Sequence, residues 1–168
     1  MTRWLSDSEQ RAWRGLLHMT TKLEARLNHE LQQTAGLSLA DYDVLVPLSE
    51  APEGRLRAFE LAAGLGWERS RLSHHVARMQ RRGLVTREDC VADRRGAFVV
   101  LADRGRTAIE EAAPAHVESV RHLVFEGLSS EEVTSLGAFT ESVLRRLEAP
   151  VDDGGGGSTP SGPPTSGS

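Results

Sequence analysis

The chain has 168 residues, with 24 acidic and 20 basic side chains and a formal net charge of -4. Its hydrophobic fraction of 39% is ordinary for a globular protein, and no apolar run reaches the roughly 18 residues that a membrane-spanning helix needs. The single cysteine, Cys90, excludes an internal disulfide and a cysteine-based metal cluster. Because the first residues become polar too early for a secretory signal, we expect a cytoplasmic protein with no membrane partner.

The first part of the chain has the pattern of two helices. From about residue 6 to 35, apolar side chains recur along one stripe, with Ser6 and Glu9 as a capping-box pair and Gly36 as the stop. A second helix is predicted over residues 39–50, before a loop rich in proline and glycine.

Two further helical patterns follow, over residues 59–64 and 68–83, joined by a short turn. In the second, Leu72, Val76 and Met79 form an apolar stripe that is predicted to face the core. Its other faces are predicted to carry cations, hydroxyls and imidazoles, the side chains of Arg69, Ser70, Arg71, Ser73, His74, His75 and Arg78. Such a surface suits contact with nucleic acid, but it also suits simple solvation, and the helix alone leaves both readings open.

Two short strands are predicted over residues 84–88 and 97–101, with a basic turn between them, as in a β-wing. Two helices then follow, over about residues 103–126 and 129–148, the second opened by the capping-box pair Ser129 and Glu132. Residues 151–168 are rich in glycine, serine and proline and are predicted to be a disordered tail, either natural or an appended linker.

The charge is unevenly distributed along the chain. Residues 55–106 hold twelve arginines against six acids and carry +6, so the rest of the chain, from a total of -4, carries -10. A basic segment inside an acidic protein is typical of a domain that binds nucleic acid.

The order of these elements, and several short motifs, resemble the MarR family of transcriptional regulators over about residues 5 to 148. The motifs are Glu60-Leu61-Ala62, Ser70-Arg71-Leu72-Ser73, Arg78-Met79, Arg82-Gly83-Leu84-Val85 and Asp93-Arg94-Arg95-Gly96. Trp4, Trp13 and the stretch LADYDVL are similar to actinobacterial members. One departure is that Arg57-Ala58-Phe59 stands where the family often has a serine or threonine.

The resemblance implies a mainly α fold with a small β-wing. It predicts one winged helix-turn-helix domain over residues 1–150, with a DNA-reading core at about 55–102 and dimerisation helices at about 6–35 and 103–148. It further implies a homodimer that binds a pseudo-palindromic double-stranded DNA operator, acts as a repressor, and is released by a small aromatic or phenolic effector.

On this basis we predict which side chains meet DNA. The helix at residues 68–83 would enter the major groove and the wing the minor groove. Arg69 and Arg78 would bind phosphates, and the resemblance implies that Asp93 orients a wing arginine. The residues nearest the bases would be Ser70, Arg71, Ser73, His74 and His75. In the wing tip, the residues predicted to contact DNA are Arg94 and Arg95.

The effector candidates are Trp13, His18 and Lys22 on the first helix and Tyr42 on the second. Trp13 also suits the core, and His18 with Lys22, four residues apart, also suit a solvated surface.

The sequence leaves alternatives open for Cys90 and for the winged fold. Cys90 would be either an incidental thiol or an oxidation switch, and the winged fold would also suit a protein-interaction module. No enzyme motif is present, so we expect no catalysis and neither a metal nor another cofactor.

Overall fold

The first two helices begin at side-chain caps. In the computed structural model, which describes residues 2–89 and 96–149, helix α1 spans Asp7–Ala35 and helix α2 spans Leu39–Glu50. Ser6 and Glu9 form the predicted capping box of α1. Gly36 ends α1 in the left-handed region, with φ 63°, which glycine adopts at little cost. The chain therefore turns at once from α1 into α2.

A short mixed segment follows these two helices. A 3₁₀ turn at Pro52–Gly54 leads into strand β1, Arg55–Arg57, and then helix α3, Ala58–Gly64. At the position where the family often has a serine or threonine, the carboxylate of Glu60 instead accepts a hydrogen bond from the Arg57 amide at 3.3 Å. The remaining elements are helix α4, Arg69–Arg81, strands β2, Val85–Asp89, and β3, Ala97–Leu101, and helices α5, Asp103–Val120, and α6, Ser130–Glu148. A π-helical turn at Arg121–Phe125 continues α5.

The three strands form one antiparallel sheet in the order β1, β3, β2. Strand β3 pairs with β2 over its whole length, from Val85 opposite Leu101 to Asp89 opposite Ala97. It also pairs with β1, where Leu56 lies opposite Val99. The sequence did not indicate β1, because three residues carry too little alternation to be recognised without their distant partner.

The core lies where α1, α2, α4 and the sheet meet. Its most deeply buried large side chains are Leu31, Leu37, Val44, Leu45, Leu48, Val76, Met79, Val85 and Val99. The predicted inner stripe of α4 is confirmed, since Leu72 and Val76 are each only 2% exposed. The mainly helical fold with a small sheet is thus as predicted.

Two compact units can be distinguished along the chain, residues 1–126 and 127–168. The second contains α6, which begins at the predicted capping box of Ser129 and Glu132. Taken by itself, α6 has no buried residue. Within residues 2–89 and 96–149, every helix is too short or too polar to span a lipid bilayer.

Candidate nucleic-acid interface

The outer face of α4 is polar and exposed. Most of the side chains predicted to lie on this face are exposed in the structure. They are Arg69, Ser70, Arg71, Ser73, His74 and Arg78. The opposite face is fixed in the core by Leu72, Val76 and Met79. Because a helix anchored along one stripe cannot rotate freely, its cations and hydroxyls are held towards the outside.

His75 is the exception, and its predicted place on the outer face is wrong. It is only 6% exposed and lies on the inner side of α4 with Leu72, Val76 and Met79. These four residues occupy positions i, i+3, i+4 and i+7, which together make one face of a helix. We therefore remove His75 from the residues expected to contact bases.

The buried imidazole of His75 contacts a buried carboxylate on α2. Its Nε2 atom lies 3.0 Å from Oδ1 of Asp41, although the N–H direction is not that of a regular hydrogen bond. Asp41 is 3% exposed. It also closes the α2 capping box, since its Oδ2 accepts from the Ser38 amide at 2.9 Å. One carboxylate thus caps α2 and contacts α4.

Arg82, directly after α4, also binds this carboxylate. Its Nη1 donates to Asp41 Oδ2 at 2.6 Å, and its Nη2 donates to the backbone carbonyl of Gly36 at 2.7 Å. Burial by itself raises the pKa of Asp41, but the contacts from His75, the Ser38 amide and Arg82 outweigh it and hold the pKa well below the usual range. Asp41 is therefore ionised, and Arg82 links it to the backbone carbonyl at the end of α1.

A second acid on α2, Asp43, has the opposite environment. Burial raises its pKa, and the nearby carboxylate of Glu24 raises it further, while Arg71 and His75 act in the other direction. Within the described residues it makes no ion pair or hydrogen bond of its own. The two carboxylates, two positions apart in sequence, thus differ in how their charge is compensated.

Arg71 is held at one end of the outer face by an aromatic ring. Its guanidinium carbon lies 4.1 Å from the centroid of the Trp67 ring, in the turn before α4. The edge of the same tryptophan faces the His75 ring, with centroids 5.4 Å apart. Cation–π contact of this kind restricts where the Arg71 side chain can lie.

Basic side chains also line the sheet. Two guanidiniums, of Arg55 and Arg57, lie over the Phe98 ring at 5.2 and 4.8 Å from its centroid. Arg55 is also paired with Glu53 and Glu88, whereas Arg87 on β2 is exposed. The stacking of Arg55 and Arg57 on Phe98 has no local signal in the sequence, because the ring lies on a distant strand.

The predicted wing tip lies outside the described residues. This applies to Cys90, Asp93, Arg94 and Arg95, and also to the tail at 151–168. Their predicted roles stay predictions.

The structure leaves three of the four effector candidates exposed on α1 and buries the fourth. Trp13 is 52% exposed, so it is not a core residue of its own chain, and His18 and Lys22 are exposed as well. Tyr42 is buried, with its ring 4.2 Å from that of His116. The open cavity beside it, of about 480 Å³, is lined by Tyr42, Val46, His116, Val117, Val120, Arg121 and Phe125.

The sequence and the fold of this chain are similar to those of known proteins. The profile of the MarR family matches residues 35–96. The solved structure of Sco3205, a MarR family transcriptional regulator from Streptomyces coelicolor in complex with DNA, is 42% identical in sequence. It aligns with a TM-score of 0.86 over 91% of this chain and 96% of its own. This chain belongs to the MarR family of transcriptional regulators.

Other relatives agree with the assignment to the MarR family. AbsC, also a MarR family transcriptional regulator from Streptomyces coelicolor, is 41% identical, with a TM-score of 0.82 over 87% of this chain and 98% of its own. The transcriptional repressor MprA of Escherichia coli is 25% identical over 138 residues, which are 82% of this chain and 77% of MprA. The two Streptomyces relatives agree with the predicted likeness to actinobacterial members, and all three relatives are described as regulators or repressors rather than enzymes.

Proposed function

We propose that this protein binds double-stranded DNA sequence-specifically and represses transcription. The observation that carries the proposal is the outer face of α4, where Arg69, Arg71 and Arg78 are exposed while the opposite face is fixed in the core. An α-helix fits the major groove, and arginine binds guanine edges and phosphates with paired hydrogen bonds. The relative Sco3205, solved with DNA, supports the same use of this fold.

The residues divide by what they would contact. Arg71, Ser70, Ser73 and His74 would lie nearest the base edges, and Arg69 and Arg78 would bind phosphates and fix the register of the helix. Arg95 would enter the minor groove, Arg94 would also contact DNA, and Asp93 would orient a wing arginine.

Selection of bound duplexes from random DNA tests this proposal. We expect an enriched pseudo-palindromic sequence, and we expect Arg71→Ala to weaken binding to it by about 1–3 kcal/mol while relaxing the preference at one position. Arg145→Ala, in the last turn of α6, removes the same charge and should leave that preference unchanged. Failure to enrich any sequence, or equal effects of the two variants, would contradict sequence-specific binding.

The proposal includes a homodimer, because each unit by itself exposes apolar side chains. In the first unit, Trp13, Leu17 and Met19 on α1 are each about half exposed, at 52%, 48% and 53%. On α6, Phe139 is 52% and Leu144 54% exposed. A second copy of the chain would remove these surfaces from water, and its two-fold axis would set two α4 helices on successive turns of the duplex.

The proposal also includes release by a small aromatic acid. The cavity beside Tyr42 has apolar walls, including Val46, Val117 and Phe125, and carries Arg121 as a partner for a carboxylate. Titration of the DNA complex with aromatic carboxylates such as salicylate and benzoate tests this. We expect release that Arg121→Gln weakens, and release that is insensitive to this substitution would place the effector elsewhere.

A further inference from the structure

The buried His75 has a second contact, on the side of its ring away from Asp41. Nδ1 lies 2.8 Å from Nη2 of Arg78, one turn further along α4. A guanidinium can only donate hydrogen bonds, so Nδ1 must be the acceptor and the ring proton must be on Nε2. The contact with Arg78 therefore assigns the tautomer of His75, with its N–H on the side of the Asp41 carboxylate.

The ring of His75 is held in place from two directions. The edge-to-face contact with Trp67, at 5.4 Å between centroids, fixes it on one side, and the 3.0 Å approach of Asp41 fixes Nε2. The side chain is 8% exposed. Nδ1 is therefore an acceptor at a fixed position, directed at a side chain on the exposed face of the helix.

Arg78 gains a defined position from this acceptor. Arginine has a long and flexible side chain, and immobilising such a side chain on binding costs about 0.5–1.5 kcal/mol. Contact with His75 uses one of its five N–H donors, and no other residue in the described part of the chain accepts from the rest. The guanidinium is thus oriented before any ligand arrives and retains donors for one.

We propose that His75 is a positioning residue for DNA binding, which acts by holding the Arg78 guanidinium in place for a phosphate oxygen. This inference rests on the proposed DNA-binding function and adds to it a role for a residue that does not itself reach DNA. It also explains why a polar ring occupies an inner position of α4, where Leu72, Val76 and Met79 are apolar.

Two substitutions separate this role from a purely structural one. In asparagine the side-chain oxygen is two bonds from Cβ, as Nδ1 is, so His75→Asn keeps an acceptor close to Arg78. In glutamine the amide is three bonds from Cβ, as Nε2 is, so His75→Gln keeps a polar group beside Asp41 and loses the acceptor for Arg78. His75→Asn therefore retains the contact with Arg78, and His75→Gln retains the contact with Asp41.

The test measures affinity for a duplex selected by the wild-type protein, over a range of salt concentrations, together with the midpoint of thermal unfolding. We expect His75→Gln to weaken binding about two- to tenfold, as loss of preorganisation of one side chain would, and His75→Asn to stay near wild type. In an Arg78→Ala background, where the slope of log affinity against log salt falls by about 0.9, His75→Gln should have no further effect. If His75→Asn weakens binding and His75→Gln does not, or if the effects of His75→Gln and Arg78→Ala add, the positioning role is wrong.

The failure of this inference can be told from the failure of DNA binding itself. Arg71 forms no hydrogen bond or ion pair with His75 or Arg78 within the described residues, and Arg71→Ala reports on base contact by α4. If Arg71→Ala weakens binding while His75→Gln behaves as wild type, only the positioning role fails. If the wild-type protein enriches no duplex, the proposed function fails, and the positioning role fails with it.

Discussion

Gly105 and Leu84 are in contact so close that no side chain fits between them. A β-carbon on Gly105, in the first turn of α5, would lie 2.0 Å from the backbone oxygen of Leu84. That oxygen already accepts a hydrogen bond from the Ala102 amide at 3.1 Å. The start of α5 is therefore fixed against the residue that precedes β2.

Gly105→Ala should destabilise the protein strongly. Because the neighbour is backbone rather than a flexible side chain, the helix must move away, and we expect a loss of about 3 kcal/mol or more in the free energy of unfolding. Gly15→Ala is the matched control, since a β-carbon there meets nothing within 4 Å. Replacing an exposed glycine within α1 should stabilise by about 0.5–1 kcal/mol. Urea unfolding measures the free energy of unfolding of both variants. Equal values for Gly105→Ala and Gly15→Ala would refute the close packing of Gly105 against Leu84.

Asp41→Asn should lower stability because it removes the charge that Arg82 and His75 contact. Loss of one partner from a fully buried ion pair costs about 3–5 kcal/mol. Since the Arg82 side chain is 42% exposed and can return to water, we expect a smaller loss, of about 2–3 kcal/mol. Asp43→Asn makes the same chemical change on the same helix, at a carboxylate whose charge is poorly compensated, and should be neutral or slightly stabilising. Equal losses for both variants would argue against this difference.

The two carboxylates also predict opposite responses to pH. The pKa of Asp41 is lowered in the folded state, so its stabilising effect is present above the ordinary aspartate pKa of about 3.9 and is lost as the pH falls below that value. The pKa of Asp43 is raised, so protonation of this group favours the folded state as the pH falls through its raised pKa. We expect the stability difference between wild type and Asp41→Asn to shrink between pH 5 and pH 2. A constant difference across that range would show that Asp41 does not titrate as described.

Phe139→Arg should convert the proposed dimer into a monomer. Phe139 is 52% exposed on α6, and a guanidinium at this position would be buried without a partner if a second copy covers it. Glu141→Arg is the control, because two residues along a helix turn the side chain by roughly 200°, away from Phe139. Light scattering after gel filtration should give half the wild-type mass for Phe139→Arg and an unchanged mass for Glu141→Arg. A wild-type protein that is already monomeric at micromolar concentration would contradict the dimer.

The sequence predicted best those features that depend on neighbouring residues. The starts of α1 and α6 were predicted from Ser6 and Ser129, each paired with a glutamate three residues later, and the end of α1 from Gly36. Such caps depend on a few consecutive residues, so their signal is complete within the sequence. The inner stripe of α4 was likewise readable from its spacing.

Features that depend on distant partners were missed or misread. The polarity of histidine favoured the outer face for His75. Its i+3 spacing from Leu72 instead indicates the inner face, and this spacing is visible in the sequence. Asp41 could have been recognised as the third residue after the Ser38 cap. Nothing near Arg82 in sequence indicates that it binds Asp41, which is 41 residues earlier. Strand β1 likewise becomes evident only when β3 lies beside it.

One guanidinium adds a polar link between three helices that also meet in the core. Arg82 stands just after α4, and its two terminal nitrogens bind the residue that ends α1 and the carboxylate in the first turn of α2. A tilt of α1 would therefore act on the end of α4 through this side chain as well as through the shared core. In a pair of subunits joined through their α1 helices, a change in the angle between the subunits would therefore be transmitted through Arg82 to α4. The separation of the two α4 helices would then change with that angle.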